Sequence, residues 1–229
     1  MKSNSKIALL LTDTKISKVV EFDKTKDKVL PLDFTGANKN LNSELLADTP
    51  LFTDWVKSEL QKAACRYGVG GYNEHRTIYR RSELFDTANE PRRLHLGADI
   101  WGPVATTIYT PIDGFVHSFN FNDNFGDYGA TIILEHRYPE TCFYTLYGHL
   151  SLASIAGLQE GLLFEAGSKL AELGDASENG GWPPHLHFQL IQDMQGLKGD
   201  YPGVCKFSER EQYLKNSPDP NIILCHTFE

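Results

Sequence analysis

From residue 76 onward the chain alternates short runs rich in Val, Ile, Thr, Tyr and Phe with punctuation by Gly, Pro, Asn and Asp. No other feature constrains the fold as tightly. β-Branched and aromatic side chains suit a pleated surface, while Gly, Pro, Asn and Asp supply turns. The runs at 94–100, 105–110, 114–120, 130–136, 142–148, 169–173 and 185–191 read as strands. Turns are expected at 111–114, 122–129 and 179–184. Regularly spaced short strands of this kind predict an antiparallel β-sheet. The expected organisation is a β domain at 76–195, an N-terminal extension at 1–75 and a C-terminal extension at 196–229.

The extensions read differently. Thr53 to Tyr67 has helical spacing, with Thr53 as cap, Asp54 in the first turn, Lys62 and Arg66 in the last, and Gly68 as the stop. A short helix is expected at Ser208–Asn216, before Pro218-Asp219-Pro220, and short apolar strands at each end of Ile16–Leu32. The fold class is therefore mainly β (α+β). The run Ile7–Leu11 holds only five apolar residues. A secretory segment wants about 7–15, so this run reads as a short buried strand and the protein as cytoplasmic. No stretch reaches the roughly 20 apolar residues of a membrane-spanning helix.

The formal net charge of −8 argues against nucleic acid as the partner, since phosphate binding needs clustered Lys and Arg. It also disfavours docking to an anionic wall or membrane surface. Cys65, Cys142, Cys205 and Cys225 are scattered and form no C-x-x-C pair. They read as free thiols in a reducing compartment.

Chemistry concentrates in three segments, Arg93–Ile100, Tyr144–Ser151 and Pro183–Gln189. On a strand, His185 and His187 share one face, with Cα atoms roughly 6–7 Å apart, and Leu186 and Phe188 face the core. Two such imidazoles can address one metal, or one can ligate while the other handles substrate. Pro183 and Pro184 stiffen the entry to this strand. His95 and Asp99 would lie roughly 13 Å apart in a fully extended strand. That is too far to share an ion with bonds of about 2.0–2.2 Å. Gly97 permits a bulge or bend that brings them together. Each pair alone reads as ordinary strand or turn chemistry; their combination points to a metal. Two imidazoles and a carboxylate would leave Zn²⁺ a fourth position for water, the arrangement of a catalytic site. There is no H-E-x-x-H, so the helical metalloprotease arrangement is excluded. His149 and one of the 185/187 pair are the natural general bases, because imidazole titrates near neutrality.

These segments resemble the lysostaphin/LytM-type zinc endopeptidases. That family carries H-x-x-x-D, a later lone His after an aromatic-rich strand, and a terminal H-x-H. Here they are His95/Asp99, His149 and His185/His187, in the same order, with Pro111–Val116 and Gly126–Gly129 also fitting. The resemblance covers about residues 90–191. It implies His95, Asp99 and His187 as zinc ligands, and His149 and His185 as catalytic histidines flanking the water. It implies a small antiparallel β fold with the metal at the floor of a groove. The implied activity is peptide hydrolysis, commonly of glycine-rich peptidoglycan cross-links. Family members often place a Tyr a few residues before the first ligand. Here the nearest is Tyr79, and Arg80, Arg81, Arg92 and Arg93 occupy the intervening stretch. The acidic charge and the absence of an evident export signal widen the expected substrate to a peptide or small amide. A weaker resemblance, at Gly70–Arg76 and Ser217–Asn221, is to versions of this domain in multidomain cytosolic enzymes beside kinase-like and aminotransferase modules. It points the same way.

The alternative is a non-catalytic binding or regulatory module on the same scaffold; retention of all five residues argues against it, and the two unliganded histidines argue against a purely structural ion. His75, His117, His136 and His226 read as surface or locally bonded. Trp182 reads as packing under its loop, with a groove wall as the alternative, and Asp123, Asp127 and Asp175 as turn formers.

Overall fold

The strand β11 (His185–Ile191) is the axis of the fold, and all seven of its residues are buried. Leu186, Phe188 and Leu190 enter the main apolar core. Each contributes about 1.5–3 kcal/mol by burial. The period-2 alternation therefore sends His185, His187 and Gln189 to the other face. In this computed structural model, which describes residues 7–8, 10–11, 14–139 and 141–228, β11 pairs antiparallel with β4 (Ala98–Trp101) and β8 (Thr141–Leu150). His187 stands opposite Asp99 on one side and Gly148 on the other.

Beyond β8 the sheet continues through β7 (Gly129–Tyr138), β6 (Gly114–Asn122) and β9 (Leu163–Phe164). Beyond β4 it continues through β2 (Tyr67–Gly70) and β1 (Val29–Leu32). Only the β1–β2 pair is parallel in this eight-stranded sheet. Two small sheets pair β5 (Thr107–Tyr109) with β10 (Lys169–Glu172), and β3 (Leu94–His95) with β12 (Val204–Cys205). The helices are few: α1 (Ser43–Ala47), α2 (Thr49–Lys62), α3 (Leu152–Ile155), α4 (Arg210–Asn216) and α5 (Asn221–Phe228). The fold is mainly β and dominated by antiparallel pairing, as the sequence rhythm predicts.

Several local expectations are corrected. The strand expected at 94–100 is broken at Leu96–Gly97 into β3 and β4, which join different sheets. The helix expected from Thr53 starts at Thr49, because Asp48 accepts from the Leu51 N–H (2.8 Å) and outcompetes Thr53 as cap. Thr53 instead bonds back to the Thr49 carbonyl. The helix ends at Lys62, where Ala64 takes φ 52° and the Cys65 N–H closes on the Leu60 carbonyl. Gly68 is not its stop but a residue of β2, where an added Cβ would sit 2.4 Å from Leu32 Cδ1. The described residues of the Ile7–Leu11 run are helical rather than extended, with Ile7 and Leu11 buried one turn apart. Met1–Lys6, Leu9, Thr12 and Asp13 lie outside the described residues. The C-terminal helix begins as a 3₁₀ turn at Phe207–Glu209, and α5 follows unanticipated, burying Ile223 and Leu224. The first 75 residues supply two strands of the main sheet, β1 and β2.

His136 is not at the surface: it is fully buried, hydrogen-bonded to the Asp113 carbonyl (2.8 Å) and to Thr145 Oγ1 (2.8 Å). Burial pushes its imidazole down to about 4. The folded state therefore keeps it neutral where the unfolded chain, titrating near 6.5, already binds a proton. Its contribution is fully present above about pH 6.5 and is lost as pH falls toward 4. In His136→Gln, the urea midpoint should fall less steeply between pH 6.5 and 4.5 than in the wild type. Parallel slopes would show that His136 carries no such linkage.

Candidate metal centre and its cleft

Three side-chain atoms converge where β3, β4 and β11 meet. His95 Nε2 lies 2.9 Å from His187 Nδ1 and 3.2 Å from Asp99 Oδ1, and His187 Nδ1 lies 3.1 Å from Asp99 Oδ1. All three residues are buried. The break at Gly97 is what turns His95 back towards Asp99. Gly97 also has a second role: a Cβ there would stand 2.6 Å from the His187 ring and 2.8 Å from the Phe188 carbonyl oxygen. The histidine can occupy its position because the residue beside it has no side chain.

The protonation pattern shows what these atoms face. His95 gives its Nδ1–H to the Gly71 carbonyl (2.9 Å), so its Nε2 carries a lone pair. His187 gives its Nε2–H to Gln189 Oε1 (2.9 Å), so its Nδ1 carries a lone pair. The second Asp99 oxygen accepts from Arg76 Nη1. Burial and the nearby Arg76 push the His95 imidazole down to about 4, which keeps it neutral. Burial opposes ionisation of Asp99, but its charged surroundings, with the Arg76 guanidinium in direct contact, outweigh it and hold the carboxyl well below its usual range. Two lone pairs and an anion thus face one another with no proton between them. A cation among them relieves that repulsion. Their spacing of 2.9–3.2 Å is close to the edge of a tetrahedron with bonds of about 2.0 Å, roughly 3.3 Å. The donor set and spacing fit zinc.

His149 and His185 stand beside this centre with ring centroids 4.1 Å apart. Each donates Nδ1–H to a backbone carbonyl at 2.8 Å, Asn179 for His149 and Pro183 for His185, leaving Nε2 as the basic nitrogen. Burial pushes His185 down to about 4 and His149 well below its ordinary value. His185 stacks on Trp101 at 3.9 Å. His149 has φ 66°, a conformation that costs a non-glycine residue about 1–3 kcal/mol. A cleft of about 130 Å³ reaches Asp99, His149, His185 and His187. Tyr79, Phe85, Tyr128 and Trp182 line it.

All five residues singled out in the sequence are therefore together. Of the four arginines considered near the first ligand, Arg92 lines the cleft. Arg80 is exposed, Arg81 stacks on Phe52, Phe125 and Trp182, and Arg93 pairs with Asp86. Three contributors were not identified beforehand: Arg76, Gln189 and Asn179. Gln189 lies two residues beyond His187 on the same strand face, which is a legible signal. Arg76 and Asn179 reach the site only through tertiary packing.

Residues 93–198 match the family described as Peptidase family M23. The structure is similar to the catalytic domain of the antimicrobial peptidase lysostaphin from Staphylococcus simulans: 19% identity, 76% of this chain and 97% of that one, TM-score 0.44. It is also similar to a zinc-containing peptidase from Vibrio cholerae, with 28% identity over 43% of this chain and a TM-score of 0.34. The match spans 27% of that longer protein. A third similarity is to the catalytic domain of the prophage-encoded M23 protein EnpA from Enterococcus faecalis, with 18% identity, 52% of this chain, 85% of that one and a TM-score of 0.37. No curated protein matches the chain.

Gly97→Ala tests the geometry. The methyl group meets both an imidazole and a backbone carbonyl, so His187 must move. The variant should fold, by far-UV circular dichroism, yet bind zinc at least 10-fold more weakly. Wild-type affinity would show that the close approach is not required.

Proposed function

We propose that this chain, whose residues 93–198 match peptidase family M23, is a zinc-dependent metallopeptidase acting on a peptide or a related small amide. The observation that carries this reading is the convergence of His95 Nε2, Asp99 Oδ1 and His187 Nδ1. The two histidines of fixed tautomer beside it complete the argument. Zinc, held by these three atoms, would supply Lewis acidity towards a water and towards the carbonyl of the scissile bond. The remaining work belongs to the protein. The Nε2 atoms of His149 and His185 are the bases available to take a proton from the attacking water and return it to the leaving amine. Their Nδ1–H bonds to carbonyls hold the rings in that tautomer. The aromatic walls exclude bulk water and so strengthen every polar interaction inside. Glycine-rich or peptidoglycan-derived peptides are the first substrates to test, because the three motif segments resemble the lysostaphin/LytM-type endopeptidases. We place the protein in the cytoplasm, a reading supported by Cys65, Cys142, Cys205 and Cys225 being scattered along the chain with no C-x-x-C pair.

The direct test is mass spectrometry of products after incubation with peptidoglycan, pentaglycine and a panel of small amides. Zinc-dependent cleavage of one of them supports the reading, and no cleavage of any counts against it. On a cleaved substrate, His149→Ala and His185→Ala should keep the metal and lose about 10²–10⁴ in rate. His187→Ala should lose metal and activity together. The ligand assignment fails if His185→Ala releases zinc while His187→Ala retains it. For the compartment, thiol titration of protein from its native host should count four free cysteines. A count of two or none would move the protein to an oxidising compartment.

A further inference from the structure

The three proposed ligands are each oriented by a network that leads out of residues 93–198. His95 is held by the Gly71 carbonyl. Asp99 is held by Arg76, which is fully buried and braced by Glu74 Oε2 at 2.7 Å. His187 is held by Gln189, and Gln189 is in turn held from the C-terminal side. Its Nε2 donates to the Pro202 carbonyl (3.2 Å) and to Ser217 Oγ (2.9 Å). The two flanks are tied to each other, since Tyr72 donates its hydroxyl to the Ser217 carbonyl (2.6 Å) and Arg210 Nε donates to Asn73 Oδ1 (2.9 Å).

The Gln189 amide is the informative member. A carbonyl can only accept, so Pro202 requires the amide nitrogen on its side; the Ser217 hydroxyl, able to accept or donate, then takes the acceptor role there. The amide oxygen must then face His187 Nε2. That forces the proton onto Nε2 and leaves the Nδ1 lone pair free towards Asp99 and His95. A rotated amide would present N–H to Nε2, drive the proton to Nδ1 and remove the ligand. Ser217 is fully buried, and it lies nineteen residues beyond the matched segment, which ends at 198.

We infer that the flanking stretches 71–76 and 202–217 are functional parts of the metal centre, with Ser217 acting through Gln189 as a positioning residue that sets the tautomer of His187. This rests on the metallopeptidase reading. Outer partners of metal-bound histidines typically account for 10–100-fold in affinity.

The test measures zinc affinity of the full chain by competition with a chromogenic chelator, and needs no substrate. Gln189→Leu should weaken zinc binding about 10–100-fold, and Ser217→Ala several-fold, with the zinc-free proteins melting within a few degrees of wild type. The decisive arm uses the Gln189→Leu background. Leucine has no amide to orient, so Ser217 has nothing there to act through. Ser217→Ala should therefore weaken zinc binding in the wild-type background and have little further effect in the Q189L background. Equal losses in both backgrounds would mean that Ser217 serves packing alone, and overturn the inference. Wild-type affinity in both Q189L and S217A would overturn it as well. A wild-type chain that takes up no zinc would instead defeat the metallopeptidase reading on which it rests.

Discussion

Two imidazole lone pairs and a carboxylate oxygen held within 3.2 Å of one another, away from water, are the constraint on which the rest of the structure depends. Such a cluster is unfavourable unless a cation joins it, and it scatters unless its members are fixed individually. The fold fixes them from three directions. β4 and β11 set Asp99 directly opposite His187 in register. β3, detached from the main sheet and paired with β12, presents His95 from the side. A one-residue slip of β11 would replace His187 by an apolar neighbour at the centre and turn the histidine into the core.

The cleft wall is held by a different device. The guanidinium of Arg81 lies over Trp182 (4.6 Å), Phe125 (4.8 Å) and Phe52 (5.6 Å). Burial without a carboxylate partner pushes its pKa down to about 10. The stacked rings supply the compensating attraction. Its Nη2 donates to Thr49 Oγ1, which donates to the Gly181 carbonyl. Helix α2 is thus linked to the loop that leads into β11. Asn179, fully buried, holds the same loop through the Trp182 backbone and presents its carbonyl to His149. The base and the wall are set by one loop, so changes in α2 packing reach the site through it.

The strand that carries His185 and His187 was legible because it alternates strictly. In β11, Leu186, Phe188 and Leu190 against His185, His187 and Gln189 is a period-2 pattern with one interpretation. The start of α2 was less legible, because Asp48 and Thr53 are both competent caps; the bond that Asp48 accepts from the Leu51 N–H, with Phe52 buried in the first turn, settles it. The helical state of the described residues in the Ile7–Leu11 run was not legible at all: a short apolar run carries no periodicity, and burial of Ile7 and Leu11 in the core decides it.

The sequence by itself determined the chemistry available: five residues of the right types, in an order and spacing that admit one metal and two bases, with a glycine where the chain must bend. It also determined the strand class of the segments carrying them, since side-chain alternation is a local property. The tertiary structure alone decided which nitrogen of each histidine is free. That choice depends on acceptors far away in the chain: Gly71 for His95, Asn179 for His149, and Pro202 and Ser217, acting through Gln189, for His187. A tautomer is set by the hydrogen bond that the other ring nitrogen makes. No spacing in the sequence records which carbonyl will arrive there.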